Sequence, residues 1–279
     1  MSEHGVPPMA FVAGWPIGHT RSPVLHGYWL QRYGIAGRYL PLPIAPEDFE
    51  GALQMLGKIG FVGGNVTIPH KVAAFNIADE TTTRAQRLGA ANTITYHPER
   101  GIVADNTDGF GFIENLRTAR PNWSGTEGPA SVLGAGGASR AIVAALLDAG
   151  VSELRLSNRT KSKAEAIADE LGGPVTVVDW NDVEDSLDGA KLIVNTTSMG
   201  MQGGPPLSLT LEKVGKDSLV TDAVYAPPDT PFLQLARSRG AETVDGLGML
   251  LHQARPGFAA WFGLEPEVDD ALRQVVLAA

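Results

Sequence analysis

The sequence of 279 residues predicts an α/β protein of two domains. Three observations lead there. Short apolar runs alternate with helically spaced stretches, the pattern of a parallel sheet covered by helices. The alternation pauses once, at "PNWSGTEGP" (121–129), and then restarts. The length is generous for one core and suits two. The expected division is a first domain over 1–112, a second over 113–244, and C-terminal helices over 245–279.

Taken in order, "MAFVAGW" (9–15) reads as a buried strand. "SPVLHGYWLQRYGI" has helical spacing, with Ser22 as candidate N-cap and Pro23 in the first turn. "GRYLPLPI" is a second strand. "APEDFEGALQMLGKIG" is a helix with acids in its first turn and glycine at its end. In "GGNVTIPHK" (63–71) a third strand turns toward a helix, with Pro69 expected at the first helical position. The helical region should run to about residue 91. Past the linker, "ASVLGAGG", "ELRLSNRT", "PVTVVDW", "AKLIVNTT" and "SLVTDAVY" supply strands, the first two followed by helices. The C-terminal part is helical, and Pro256 should kink or break its first helix.

Composition removes several classes. Hydrophobic residues at 43% and charged residues at 19% give a chain that folds. The net charge of −9 leaves no basic face for a nucleic acid backbone. With no cysteine, disulfides and thiol nucleophiles are out. The six histidines are scattered, so no metal site is expected. "MSEHGVPPMA" has no signal-peptide pattern, and no apolar run nears the ~20 residues of a membrane helix. The expectation is a cytoplasmic protein without membrane or nucleic acid partners; a homodimer is compatible with the sequence.

"SVLGAGGASRAIVAALLDAG" is the most specific local signal. An apolar strand runs into Gly134, Ala135, Gly136, Gly137, Ala138 and Ser139, and a helix follows. Glycines let the backbone approach a pyrophosphate, and the helix start offers N–H groups and a positive dipole end. Ser139 replaces the third glycine of the usual motif, and it is small enough for close packing. The next strand selects the cofactor. An NAD site wants an acid near its end. "LRLSNRTKSK" offers Asn158, Arg159, Thr160 and Lys163 instead. Arg159 can fork onto a 2′-phosphate and Lys163 adds charge, which points to NADP(H) in a Rossmann-type domain. The bland readings are a ligand-free glycine turn and a solvated basic loop.

A nicotinamide enzyme acting on an alcohol needs a group for the hydroxyl proton. Lys71 sits near a helix start, where its charge is mildly unfavourable, so the neutral amine is within reach. Alone it would be read as a surface lysine. "GIVADNTDGFGF" adds Asp108, expected as a helix N-cap and able to take a substrate hydroxyl. Asp105 is a weaker second carboxylate. Asn92 in "GAANTI", with Asn65 and Thr67 at a strand end, offers neutral groups for hydroxyls. Thr20 and Ser22 on the loop "GWPIGHTRSP" can hold a carboxylate, although capping alone would explain Ser22. The set suits a small, anionic, polyhydroxylated substrate.

These stretches resemble the shikimate dehydrogenase family. The matching pieces are "PIGHTRSPVLH", "GGNVTIPHK", "GAANTI", "DNTDGFG", "GAGGASRA", "SNRTKSKA", "NTTSMGM", "DAVYAPPDTPFL" and "DGLGMLLHQA", in the family's order over nearly the whole chain. The resemblance implies reversible reduction of 3-dehydroshikimate by NADPH in aromatic amino-acid biosynthesis. It implies Lys71 as general acid/base with Asp108 as partner, and Thr20, Ser22 and Tyr225 on the substrate carboxylate. Asn65, Thr67, Asn92 and Gln253 should line the ring hydroxyls. Ala223, Gly246 and Met249 should sit by the nicotinamide, with Thr196 to Met199 close by. The C-terminal helices should return to the first, substrate-binding domain, with the cleft between domains. Two positions depart from the family pattern: Thr20 stands where serine is usual, and Thr83 where many relatives carry an acid. Thr20 bears on the choice between shikimate and quinate. Other readings are a broader quinate/shikimate dehydrogenase, a non-catalytic NADP-binding regulator, and a methylenetetrahydrofolate dehydrogenase. The last would want aromatic residues to cover a pterin, and aromatics are only 7% here with none clustered at Lys71.

Overall fold

The structure, a computed structural model, describes residues 7–201 and 203–279. It separates into two compact units: the chain up to Thr107 together with Leu251–Ala279, and Asp108–Leu250.

The first unit opens with β1 (Met9–Gly14), α1 (Ser22–Arg32), β2 (Arg38–Pro43), α2 (Phe49–Lys58) and β3 (Phe61–Val66). There follow α3 (Lys71–Ile77), β4 (Glu80–Thr81), α4 (Thr83–Leu88), β5 (Thr93–His97) and β6 (Gly101–Asp105). Their six strands lie in the order β2-β1-β3-β5-β6-β4. Five run in one direction. β5 is antiparallel to both β3 and β6, so the expected parallel sheet is mixed. The cause is local. The link from His97 to Gly101 is far shorter than the dozen or so residues of a parallel crossover, so β5 and β6 can only form a hairpin. The helical region expected to about residue 91 is likewise split by β4. At the other edge, Pro41 and Pro43 sit in β2, where a missing N–H is tolerated.

Aromatic side chains fill one side of this sheet. His26 stacks on Tyr39 at 3.9 Å and 7°, and Trp29 meets Phe258 edge-on at 5.2 Å. The indole N–H of Trp261 donates to the Ile94 carbonyl at 2.9 Å. Burial of His26 lowers its imidazole to about 3, an effect the Asn65 side chain only partly offsets.

The second unit comprises α5 (Asp108–Ala119), β7 (Ala130–Leu133), α6 (Gly137–Asp148), β8 (Leu154–Ser157), α7 (Lys161–Leu171) and β9 (Val175–Val178). β10 (Leu192–Asn195), β11 (Leu219–Asp222), α8 (Pro231–Ser238) and β12 (Glu242–Val244) complete it. All pairings are parallel, in the order β9-β8-β7-β10-β11-β12. That is a doubly wound sheet whose winding reverses between β7 and β10, where such folds bind ligands.

The chain changes unit at 107/108 and 250/251, not at 112/113 and 244/245. α5 is one continuous helix packed on α6, so the whole of it belongs with the second unit. The return falls inside α9 (Leu247–Phe262). That helix runs through Pro256 without the expected break. One lost ladder bond is outweighed there by the buried Leu251, Ala254 and Phe258. The chain ends in α10 (Asp270–Leu277). Among the described residues no helix is long and apolar enough to cross a membrane.

Candidate active site

In the first unit the sequence-picked polar residues gather at one edge of the sheet. Asn65 lies near the end of β3, and Thr67 follows it. Lys71 is the first residue of α3. The turn that carries it is anchored twice. His70 is 2% exposed, stacks on Phe49 at 4.2 Å, and places Nε2 2.8 Å from the Ile44 carbonyl. The Lys71 carbonyl accepts the Ala91 N–H at 2.8 Å. Three cap assignments change. Pro69 precedes the helix, and His70 holds the capping place. Arg21 rather than Ser22 precedes α1, because Ser22 is already helical, with its N–H on Thr20 Oγ1 at 3.3 Å. Asp108 is the first residue of α5, in the second unit, and is buried.

Asn65 and Asn92 form the centre of a buried network. The Tyr39 hydroxyl donates to Asn65 Oδ1 at 2.7 Å. Asn65 Nδ2 donates to the Asn92 carbonyl at 3.2 Å and to Thr93 Oγ1 at 3.4 Å. Asn92 Oδ1 accepts from Thr93 Oγ1 at 2.8 Å and from the Thr107 N–H at 2.9 Å. Asn92 Nδ2 donates to Gln253 Oε1 at 3.2 Å. Every member is neutral. Burial pushes the Tyr39 phenol well above its ordinary value, with the Ser22 hydroxyl opposing. These amides are therefore held in fixed orientations before any ligand arrives. Tyr39, Thr93, Thr107 and His70 were not singled out from the sequence. Thr93 and Thr107 stand inside the quoted motifs, whereas Tyr39 looks like any strand tyrosine. Asp105 serves structure instead. Burial would raise its carboxyl, but Arg84 at 2.5 Å and Thr82 at 2.6 Å outweigh this and hold it below the usual range.

In the second unit the glycine loop joins β7 to α6. Gly134 has φ +110°, and a Cβ there would stand 2.5 Å from Thr196 Oγ1, so no side chain fits. Ser139 is fully buried and donates from Oγ to the Gly134 carbonyl at 2.6 Å, tying the helix to the loop. Asn158 clamps the same loop. Its Oδ1 accepts the Ala135 N–H at 3.1 Å, and its Nδ2 donates to the Thr160 carbonyl at 2.8 Å. A pocket of about 240 Å³ opens beside them. Gly134, Ala135 and Gly136 form one wall, and Arg159, Thr160 and Lys163 another. Thr196, Thr197, Ser198 and Trp180, an indole the sequence reading passed over, complete it. Backbone N–H groups at a helix start beside two exposed cations fit a phosphate-bearing dinucleotide.

The remaining predicted cofactor residues lie in the loops after β10 and β11, in the turn after β12 (Gly246) and at the start of α9 (Met249). Thr196 sends both its N–H and its hydroxyl to the Leu133 carbonyl, each at 2.8 Å. Met199 is buried, and Met249 packs against the core of this unit. Gly246 is fixed by packing, since a Cβ would meet the Asp222 and Ala223 carbonyls at 2.6 Å. Tyr225 is half-buried in the loop after β11.

Comparison with known proteins adds an independent line. Residues 12–94 match the family model "Shikimate dehydrogenase substrate binding domain", and residues 121–201 match "Shikimate / quinate 5-dehydrogenase". The chain is 56% identical to shikimate dehydrogenase (NADP(+)) of Paracoccus denitrificans, covering 97% of this chain and 96% of that one. It is 55% identical to the enzyme of that name from Rhodospirillum rubrum, covering 96% of each. Among solved structures, shikimate 5-dehydrogenase of Thermus thermophilus in complex with NADP(H) and shikimate superposes with a TM-score of 0.84 at 33% identity, covering 96% and 98% of the two chains. Quinate dehydrogenase of Corynebacterium glutamicum in complex with NAD superposes with a TM-score of 0.91 at 31% identity, covering 98% and 99%. Set beside an anchored lysine, a buried amide network and a glycine loop with two cations, these matches show that the chain belongs to the shikimate dehydrogenase family.

Proposed function

We propose that the chain reduces 3-dehydroshikimate to shikimate, reversibly and with NADPH, as a step of aromatic amino-acid biosynthesis. The observation that carries this reading is Lys71 at the start of α3, its backbone pinned on both sides, on the same sheet edge as the Asn65–Asn92–Gln253 network. Most of the proposed substrate contacts come from the first unit, and the second takes the dinucleotide.

Bound NADPH supplies hydride to the ketone carbon. The Lys71 ammonium gives its proton to the oxygen that gains charge, and in the reverse direction the neutral amine takes it back. Asp108 accepts a hydrogen bond from a ring hydroxyl. Thr20 and Ser22, aided by Tyr225, hold the carboxylate. Asn65, Thr67, Asn92 and Gln253 receive the ring hydroxyls as neutral partners, which discriminate hydroxyl patterns because a missing partner leaves a buried group unpaired. On the cofactor, the 134–139 loop takes the pyrophosphate, and Arg159 with Lys163 takes the 2′-phosphate. Thr196, Met199, Ala223, Gly246 and Met249 border the nicotinamide. The absence of an acid at the end of β8 supports NADP over NAD.

A second reading, activity on quinate as well, has one observation in its favour: the likeness to a quinate dehydrogenase. The extra methyl of Thr20 bears on the choice between the two substrates without deciding it. Assays that follow nicotinamide absorbance with shikimate or quinate, each with NADP or NAD, decide the matter. Turnover with shikimate and NADP is expected. No turnover with any pair would overturn the catalytic reading and leave a regulator on the same scaffold. We also assign a cytoplasmic location, supported by the likeness to biosynthetic dehydrogenases. We assign a homodimer too, for which exposed Met55 and Ile59 supply apolar surface and sedimentation is the measure.

A further inference from the structure

One fully buried carboxylate has no part in the chemistry described so far. Asp222 ends β11, is 0% exposed, and is surrounded by donors. The Thr230 hydroxyl donates to its Oδ2 at 2.7 Å. Asn195 Nδ2 and the Val224 N–H both donate to its Oδ1, at 2.9 and 3.0 Å. Through Asn195 the contact continues. Asn195 Oδ1 accepts the N–H and the hydroxyl of Thr197, at 3.0 and 2.8 Å, and Thr197 Oγ1 accepts the Met199 N–H at 3.1 Å. Asn195 and Thr230 are also 0% exposed. One carboxylate thus ties together the loop after β10, the loop after β11 and the start of α8.

Hydrophobic side chains could close the same space without removing a charge from water, and burying a carboxylate is unfavourable unless it is well paired. A negative oxygen with two directional donors does something that apolar packing cannot. It fixes which way the Asn195 amide faces, and so fixes Thr197 and Met199. We propose that Asp222 is a positioning residue for the nicotinamide end of the cofactor site, setting the loops at 196–199 and 223–225 in the form that receives the nicotinamide half of NADP(H). This rests on the proposed placement of the nicotinamide against those loops. Asp222 acts through Asn195 and Val224 and need not touch the cofactor.

The test separates the two halves of the dinucleotide. Adenosine 2′,5′-bisphosphate carries only the half assigned to Arg159 and Lys163. Calorimetric titration of Asp222→Asn should show NADPH affinity falling by about tenfold, the loss expected when hydrogen bonds to a charged group are weakened. Affinity for adenosine 2′,5′-bisphosphate should stay at the wild-type value. Thr230→Val, which removes one donor and keeps the side-chain shape, should show the same pattern more weakly and serves if the first variant does not fold. Arg159→Ala should weaken both ligands. If Asp222→Asn binds NADPH like wild type, or loses both ligands equally, the positioning role is overturned. If Arg159→Ala leaves the bisphosphate unaffected, the cofactor-site reading itself fails.

Discussion

The two sheets present ligand groups in different ways. In the second unit every strand points the same way, so the groups on offer at the carboxyl edge are loop backbone and helix starts. A single contiguous turn does much of that work. In the first unit β5 is reversed, so the start of β5 lies beside the ends of β3 and β6, with Thr93 paired to both Asn65 and Asp105. Asn92, just ahead of β5, is thereby brought to the edge where strand ends carry Asn65. The reversed strand lets side chains from distant stretches of sequence hydrogen-bond to one another. Apart from Lys71, the first site is therefore built from neutral side chains that lock each other. The second is built from backbone and exposed cations over one buried charge.

Four measurements can break or sharpen that contrast. Lys71→Ala should lower kcat by about 10²–10⁴-fold while shikimate binding changes little. A collapse of affinity with kcat retained would move Lys71 from chemistry to binding. Next comes the buried charge. Burial outweighs the bonds from Thr230, Val224 and Asn195 and raises Asp222 from 3.8 to about 6. The folded-state value lies above the unfolded one, so its favourable contribution is full below about 4 and is lost as pH rises through about 6. The loss should be about 3 kcal/mol, and Asp222→Asn should abolish that part of the dependence. About half of that loss, about 1.4 kcal/mol, falls between pH 5 and pH 8, and denaturant titrations at those two values on both proteins give the answer; parallel curves would mean that Asp222 is not perturbed. Third, Arg159→Ala should raise KM for NADP by about ten- to hundredfold and narrow the preference over NAD, with KM for shikimate unmoved. The smallest effect is expected from Tyr39→Phe. The stack on His26 survives, but Asn65 Oδ1 loses its donor, at about 1 kcal/mol, so KM for shikimate should rise about fivefold with kcat nearly unchanged. An unaltered KM would show that the Asn65 amide is held by Asn92 and Thr93 alone.

Legibility followed the same divide. The glycine loop, its strand and its helix are neighbours in sequence, and each residue type has a local reason to be there. Arg159 and Lys163 stand one strand further on and could be read by position. In the first unit, residue chemistry alone suggested a polar cluster, and the resemblance to a family supplied the role of Gln253, as it did that of Tyr225 in the second. Tyr39 escaped notice because its importance comes from a partner 26 residues away, Asn65. The reversal of β5 was missed because alternation reports the presence of elements and not their direction. The caps shifted by a residue for a similar reason. Ser22 and Asp108 suit a cap chemically, yet both are already helical, since backbone angles at a helix start are set by the preceding loop.

Pro41 and Pro43 in β2 have a consequence beyond local geometry. Alternate residues of a strand aim their N–H groups to the same side. β2 keeps its parallel ladder to β1, so both absent donors fall on the outward side. The opposite margin of that sheet is β4, only two residues long. Neither border can serve as a template for a foreign strand, which protects the protein against edge-to-edge aggregation at high concentration in the cell. Self-association of the first unit must therefore proceed through side-chain faces rather than by extending its sheet.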